Sequence, residues 1–230
     1  MTSEKKSAKE YAIRYLVGTL GMALAAFGPA FSIKSDLGTA PYPCPPYILH
    51  LWDTSWTVGE FTALENLAFI VAQVLILRKK FKPALLMQIP AIFLFSLFID
   101  GAIWLCSPIV ATGFASRLLL CILAVFFTAA GISLEVVGKA WMLPGDQTIS
   151  ALTDTFGWKF SNTKIGLDIF LVAFTAIFSM IQFGHPQGPQ GITVIGIGTL
   201  ILMVFTGLCM KVTTPLADRI LKINKTSDNG

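Results

Sequence analysis

Six apolar stretches of about twenty residues constrain this chain before anything else does. They run over 11–33, 59–78, 83–105, 115–138, 164–184 and 191–213. At ~1.5 Å per residue, a helix of ~20 residues crosses a hydrocarbon core ~30 Å thick. Within that core every backbone polar group must find its partner inside the protein, so spans of this length are read as helices. The expected fold is an all-α polytopic membrane protein, a single membrane domain over 1–230 with the lipid bilayer as its solvent. Only 13% of the residues are charged, against about a quarter in soluble domains, which agrees with that class. The stretch from Tyr15 to Ile33 follows Lys5, Lys6, Lys9 and Arg14 and exceeds a signal-peptide core of ~7–15 residues, so it is read as the first span.

Charge distribution gives the orientation. The segments 1–14, 78–82, 139–164 and 211–230 fall on one side and hold fifteen basic residues, whereas the other side holds only Lys34 and Arg117. By the positive-inside rule both termini are expected to be cytoplasmic. The basic residues form short clusters between apolar spans, which excludes a nucleic-acid footprint. Cys44, Cys106, Cys121 and Cys209 form no CxxC and have no His-rich partners, so neither a metal site nor a disulfide framework is expected, and no cofactor is implied. There is no HExxH, GxSxG or phosphate loop, and enzymatic chemistry is not expected. The run "GITVIGIGT" (191–199) opens the last span and reads as a helix-packing face.

Displacing the chain on itself by 103 positions brings Arg14 onto Arg117, Gly28 onto Gly131, Pro41 onto Pro144, Pro83 onto Pro186 and Glu65 onto Asp168. This divides the chain into repeat one (about 11–105), repeat two (about 115–213) and a polar cytoplasmic tail (214–230), which is expected to carry a short helix after Pro215. Each repeat has three spans, an odd number, so the second enters the membrane from the opposite side. Two inverted three-helix repeats are an architecture of many secondary transporters. Each repeat also carries a broken segment, "PYPCPPYILHLW" (41–52) or "PGDQTISALTDTF" (144–156). A helix of twelve or thirteen residues covers about half the bilayer core. Two geometries remain open at this stage: re-entrant segments dipping in from opposite faces, or interfacial stretches anchored by Tyr42, Tyr47, Trp52 and Trp56. Gly145 or Asp146 is expected to cap the second segment, whose N-terminal dipole mildly favours an anion.

At "IKSDLGTAP" (33–41) the chain resembles the YczE/YyaS/YitT-like bacterial membrane proteins. Asp36, Leu37, Gly38 and Pro41 match their D-L-G-x-x-P-W-D motif, and Pro144 and Asp146 match a related P-x-D. Tyr42-Pro43 stands where that group tends to have Trp-Asp. The resemblance implies an integral protein of the bacterial cytoplasmic membrane built from two similar halves, and it supplies no substrate.

Ionisable groups within spans are the main functional candidates, because each costs several kcal/mol unless paired or hydrated. Glu65 and Asp100 fall in the outer third of their spans, and Glu135 and Asp168 in the inner third. Asp36 and Lys34 accompany the outer pair, Asp146 and Lys139 the inner. They read either as gates of a substrate or ion path or as groups that snorkel or pair locally, Lys34 with Asp36 or Glu65 for instance. Gln73, Asn66, Gln88 and Gln182 are further candidate lining, with Gln88 beside a kink at Pro90. His50 and His185 read as outer interfacial histidines. The functional expectation is a transporter or channel for a small molecule or ion, with its site between the repeats near Pro41 and Pro144. The alternative is a non-transporting accessory membrane protein that binds or assembles a partner. Oligomeric state is not legible.

Overall fold

The computed structural model describes residues 8–78, 83–139 and 143–221. Eight α-helices form, and no strand occurs among the described residues: α1 (Ala8–Ser35), α2 (Cys44–Trp52), α3 (Val58–Leu77), α4 (Gln88–Leu105), α5 (Phe114–Gly138), α6 (Pro144–Phe156), α7 (Phe160–Phe183) and α8 (Ile197–Leu221). Six are long and apolar enough to cross a membrane, while α2 and α6 are half-length. The expected basic positions Lys5, Lys6, Lys79, Lys80, Lys82, Lys222 and Lys225 lie outside the described residues.

Local chemistry explains the helix limits. The prolines of "PYPCPPY" start α2 rather than break it: Pro43 is its N-cap, and Pro45 and Pro46 lie in its first turn, where N–H groups have no intrahelical acceptor. Pro144 opens α6 in the same way. Thr57 and Glu60 form a capping box on α3: the Thr57 hydroxyl accepts the Glu60 N–H at 3.0 Å, and the Glu60 carboxylate accepts the Thr57 N–H at 2.7 Å. Gly157 and Gly184 end α6 and α7 in the left-handed conformation that favours glycine.

Several boundaries differ from expectation. Pro90 lies in the first turn of α4, where a proline is tolerated, so it is not a mid-span kink. The fifth span starts at Phe160, four residues earlier than expected, and the sixth starts at Ile197. Residues 192–196 form a connector instead of a helix-packing face. The Thr39 N–H donates to the Val194 carbonyl (2.9 Å), the Gly198 N–H to Leu37 (2.7 Å) and the Thr193 N–H to the Asp36 carboxylate (2.9 Å). A Cβ on Gly196 would lie 2.5 Å from the Leu37 carbonyl oxygen, so these glycines permit backbone approach between loops. α8 also continues without a break through Pro215 to Leu221, so the short helix expected after Pro215 is the end of the last span's helix. Ser133 of α5 meets the hydroxyls of Thr213 and Thr214 at 2.7 and 2.8 Å, holding α8 through the turn before that proline.

The core is the antiparallel pair α1–α5. Gly21 faces Glu135, Gly28 faces Thr128, Gly131 faces Ala25 and Gly138 faces Gly18, and Met22, Ala26, Cys121, Ala124 and Ala129 are wholly buried between or beside them. Apolar side chains gain little by leaving lipid for another apolar surface, so close approach of small residues supplies the packing. Around this pair the packing recurs under the 103-residue displacement. α1–α4 corresponds to α5–α8, α2–α3 to α6–α7, and α3–α6 to α7–α2, whereas α3–α4 has no equally extensive counterpart in α7–α8. Individual contacts repeat too: Gly28–Thr128 maps onto Gly131–Ala25, and Gly21–Gly131 onto Ala124–Gly28, and all four occur.

Asp100 ties α4 to the start of α3. Its two carboxylate oxygens accept the Thr57 hydroxyl (2.7 Å) and the Gly59 N–H (2.8 Å). Asp100→Ala is expected to cost about 1–3 kcal/mol, because two donors lose their acceptor. Thermal unfolding in detergent measures the loss. Full thermal stability in the variant would show that the tether contributes nothing.

Candidate functional site: a cavity between the half-helices

α2 and α6 meet at their N-termini. Tyr42, just before α2, lies against Gly145 in the first turn of α6, and a Cβ on Gly145 would lie 2.6 Å from the Tyr42 ring. Beside this junction is a cavity of about 150 Å³. Its walls come from α1 (Ala25, Gly28, Pro29, Ser32), α5 (Thr128, Ile132, Glu135), α6 (Gly145, Asp146, Ile149) and α7 (Lys164, Leu167, Asp168, Leu171), with Phe95 and Leu202 from α4 and α8.

The junction is braced by side chains. The Tyr42 hydroxyl donates to Asn66 Oδ1 at 2.6 Å, the Asn66 amide donates to the Thr62 carbonyl at 2.8 Å, and the Tyr42 ring stacks on Phe69. On the α6 side, Gln73 Nε2 donates to the Pro144 carbonyl (3.0 Å) and to Thr148 Oγ1 (3.2 Å), and Gln88 Nε2 donates to Gln73 Oε1 (3.3 Å). These buried amides fix the entry of α6 from the neighbouring helices α3 and α4. Pro41 and Pro144 are buried and set the chain direction into each half-helix.

Of the expected carboxylates, the inner set assembles and the outer set does not. Glu135, Asp146 and Asp168 all line the cavity, joined by Lys164, whose Nζ lies 3.6 Å from Asp168 Oδ1. Glu135 is only 8% exposed, and its Oε1 has no hydrogen-bond partner. Asp146 is not the cap of α6: Leu143 holds that position without a side-chain hydrogen bond, and Asp146 lies in the first turn. Glu65 stands apart from the cavity. Both its carboxylate oxygens are buried without a partner, in an apolar groove of about 370 Å³ lined by Pro45, Leu49, Phe61, Phe69 and Phe174. Asp36 pairs with Arg117 at 3.1 Å, and Lys34 donates to the Ser107 carbonyl at 3.0 Å, so the Lys34–Asp36 and Lys34–Glu65 pairings do not form. Asp100 serves the α3–α4 tether.

Sequence reasoning missed Ser32, Thr128 and the part played by Lys164. The signal for Lys164 was its i,i+4 spacing to Asp168, and for Ser32 its place 103 residues before Glu135.

Two carboxylates, Glu135 and Asp168, buried among apolar crossings, with exposed leucine, isoleucine and phenylalanine on the outer faces of α7 and α8, define the class. This is a multi-pass α-helical membrane protein with a largely apolar cavity between its helices that carries four ionisable side chains in its wall. The chain belongs to DUF6198, a family of unknown function whose profile matches residues 12–215. No curated protein and no solved structure matches it significantly.

Proposed function

We propose that the protein is a transporter of a small solute, with the cavity beside the Tyr42–Gly145 junction as its substrate site. The observation that carries this reading is that the two half-helices meet at one cavity walled by both halves of the chain. Tyr42 and Gly145 are themselves 103 residues apart. Contact between equivalent positions is what an inverted pair of repeats produces at its pseudo-twofold axis, and the antiparallel α1–α5 packing supports the same relation. Burial of Cys44 to Ile48 in α2 favours re-entry over a flat interfacial position, although the Trp52 side chain is half exposed against Phe178. Binding near the midplane between discontinuous helices is the common plan of secondary transporters. In this reading the protein is not an enzyme, it resides in a bacterial cytoplasmic membrane as its YczE/YyaS/YitT-like motifs suggest, and its termini are cytoplasmic.

Orientation has a direct test. On a Cys-free background, single cysteines replacing Ser107 and Gln187 should react with impermeant thiol reagents added outside intact cells, and those replacing Lys80 and Ser227 only after permeabilisation. Labelling at position 80 from outside would reverse the topology and remove the inverted repeat. For transport, uptake and efflux are measured in proteoliposomes against a panel of cationic, anionic and neutral metabolites. Movement of at least one solute above protein-free vesicles is expected. Failure of the whole panel in both directions would favour the accessory-protein alternative.

A further inference from the structure

The geometry points to a small organic cation bearing an ammonium or guanidinium group as the occupant of the cavity, an inference that rests on the cavity being the substrate site. Its ionisable lining is three carboxylates, Glu135, Asp146 and Asp168, against one amine, Lys164. Glu135 is the sharpest indicator: a carboxylate this deeply buried is costly without a donor, and its Oε1 lacks one. A ligand N–H aimed at that oxygen supplies the missing hydrogen bond.

The alternatives fit less well. An anion would meet three carboxylates, and the half-helix N-termini offer it little. Prolines at the N-cap and in the first turn of α2 lack the N–H groups through which helix ends bind anions, and at α6 Pro144 removes one of them. Asp146 already complements the positive end of α6. This overrides the mild anion preference expected from a bare helix terminus. A single metal ion needs convergent ligands, and among the described residues no three His, Cys, Asp or Glu side chains converge closely enough. Carboxylates spread around a wall suit a cation with several donor groups. The cavity, at about 150 Å³, is small, so the ligand is compact.

Lys164 acts as the resident stand-in. Its side chain is 51% exposed and pairs with Asp168, so an incoming cation displaces it without leaving a buried amine behind.

The test is calorimetric titration of the purified full-length protein in lipid nanodiscs with ethanolamine and guanidine hydrochlorides, sodium chloride and sodium acetate. Saturable binding of at least one organic cation is expected, with none for acetate or sodium. Glu135→Gln and Asp168→Asn should each weaken it at least tenfold, and Lys164→Met should tighten it several-fold by removing the competitor. Size-exclusion profiles check folding, and Lys164→Met, at an exposed position, keeps the test decisive if a carboxylate variant fails to fold. Binding of acetate, binding of sodium alone, or binding of neither organic cation overturns the cation assignment, and cation binding unchanged in all three variants overturns the assigned site. Uptake of some other solute that Gly145→Leu still blocks would then leave the transport reading standing. Absence of any binding together with absence of any uptake would remove both.

Discussion

Gly131→Leu is expected to abolish the folded protein. A Cβ at Gly131 would overlap the backbone of Ala25, which cannot swing aside as a side-chain tip does, so α1 and α5 must separate. Overpacking a core typically costs about 1–3 kcal/mol when side chains can adjust. Here the obstacle is a helix backbone, and the expected result is loss of monodisperse protein on detergent extraction. Gly131→Ala should fall between, with a Tm lowered by roughly 3–10 °C. Gly166→Ala is the control, because a Cβ there meets nothing within 4 Å. Extraction and thermal unfolding of all three decide the matter. Wild-type behaviour of Gly131→Leu would mean that the α1–α5 contact is not the core described.

Gly145→Leu is expected to fold and yet lose transport by at least about a hundredfold, equivalent to ~2.7 kcal/mol in an activation barrier. Gly145 lies in the first turn of α6, so leucine improves helix propensity there. The new side chain enters the Tyr42–Gly145 junction beside the cavity, where its Cβ alone would lie 2.6 Å from Tyr42. The ring edge yields only by straining the Tyr42–Asn66 hydrogen bond. Uptake per folded molecule, with folded protein counted by size-exclusion chromatography, separates a blocked site from a lost fold. Unchanged uptake of a transported solute would remove the Tyr42–Gly145 junction from its path.

The spans were legible because their signal is one-dimensional. Twenty apolar residues are long enough to cross lipid wherever they occur, and "SPIVATG" or "GHPQGPQG" interrupts them without reference to the rest of the chain. The half-helices were legible for a related reason, since proline acts through its own ring and missing N–H. The extent of the last helix was not. Whether "GITVIG" coils into α8 or lies extended depends on Asp36 and Thr39, more than 150 residues away, accepting from Thr193 and donating to Val194.

The candidate site divides along the same line. Length, hydropathy and the 103-residue echo determined that carboxylates would stand within or beside membrane spans, because each is read from its own flanks. Only the tertiary structure decided which of them share a space. Glu65 and Asp168 are equivalent in sequence, yet Asp168 faces the cavity beside Lys164, while Glu65 faces an apolar groove between α2, α3 and α7. Asp100, equally prominent as an intramembrane acid, is consumed by the Thr57 hydroxyl and the Gly59 amide. A charge in lipid must be resolved by whatever lies across the helix interface, and which partner lies there is fixed by helix rotation and by glycine contacts a few ångströms wide.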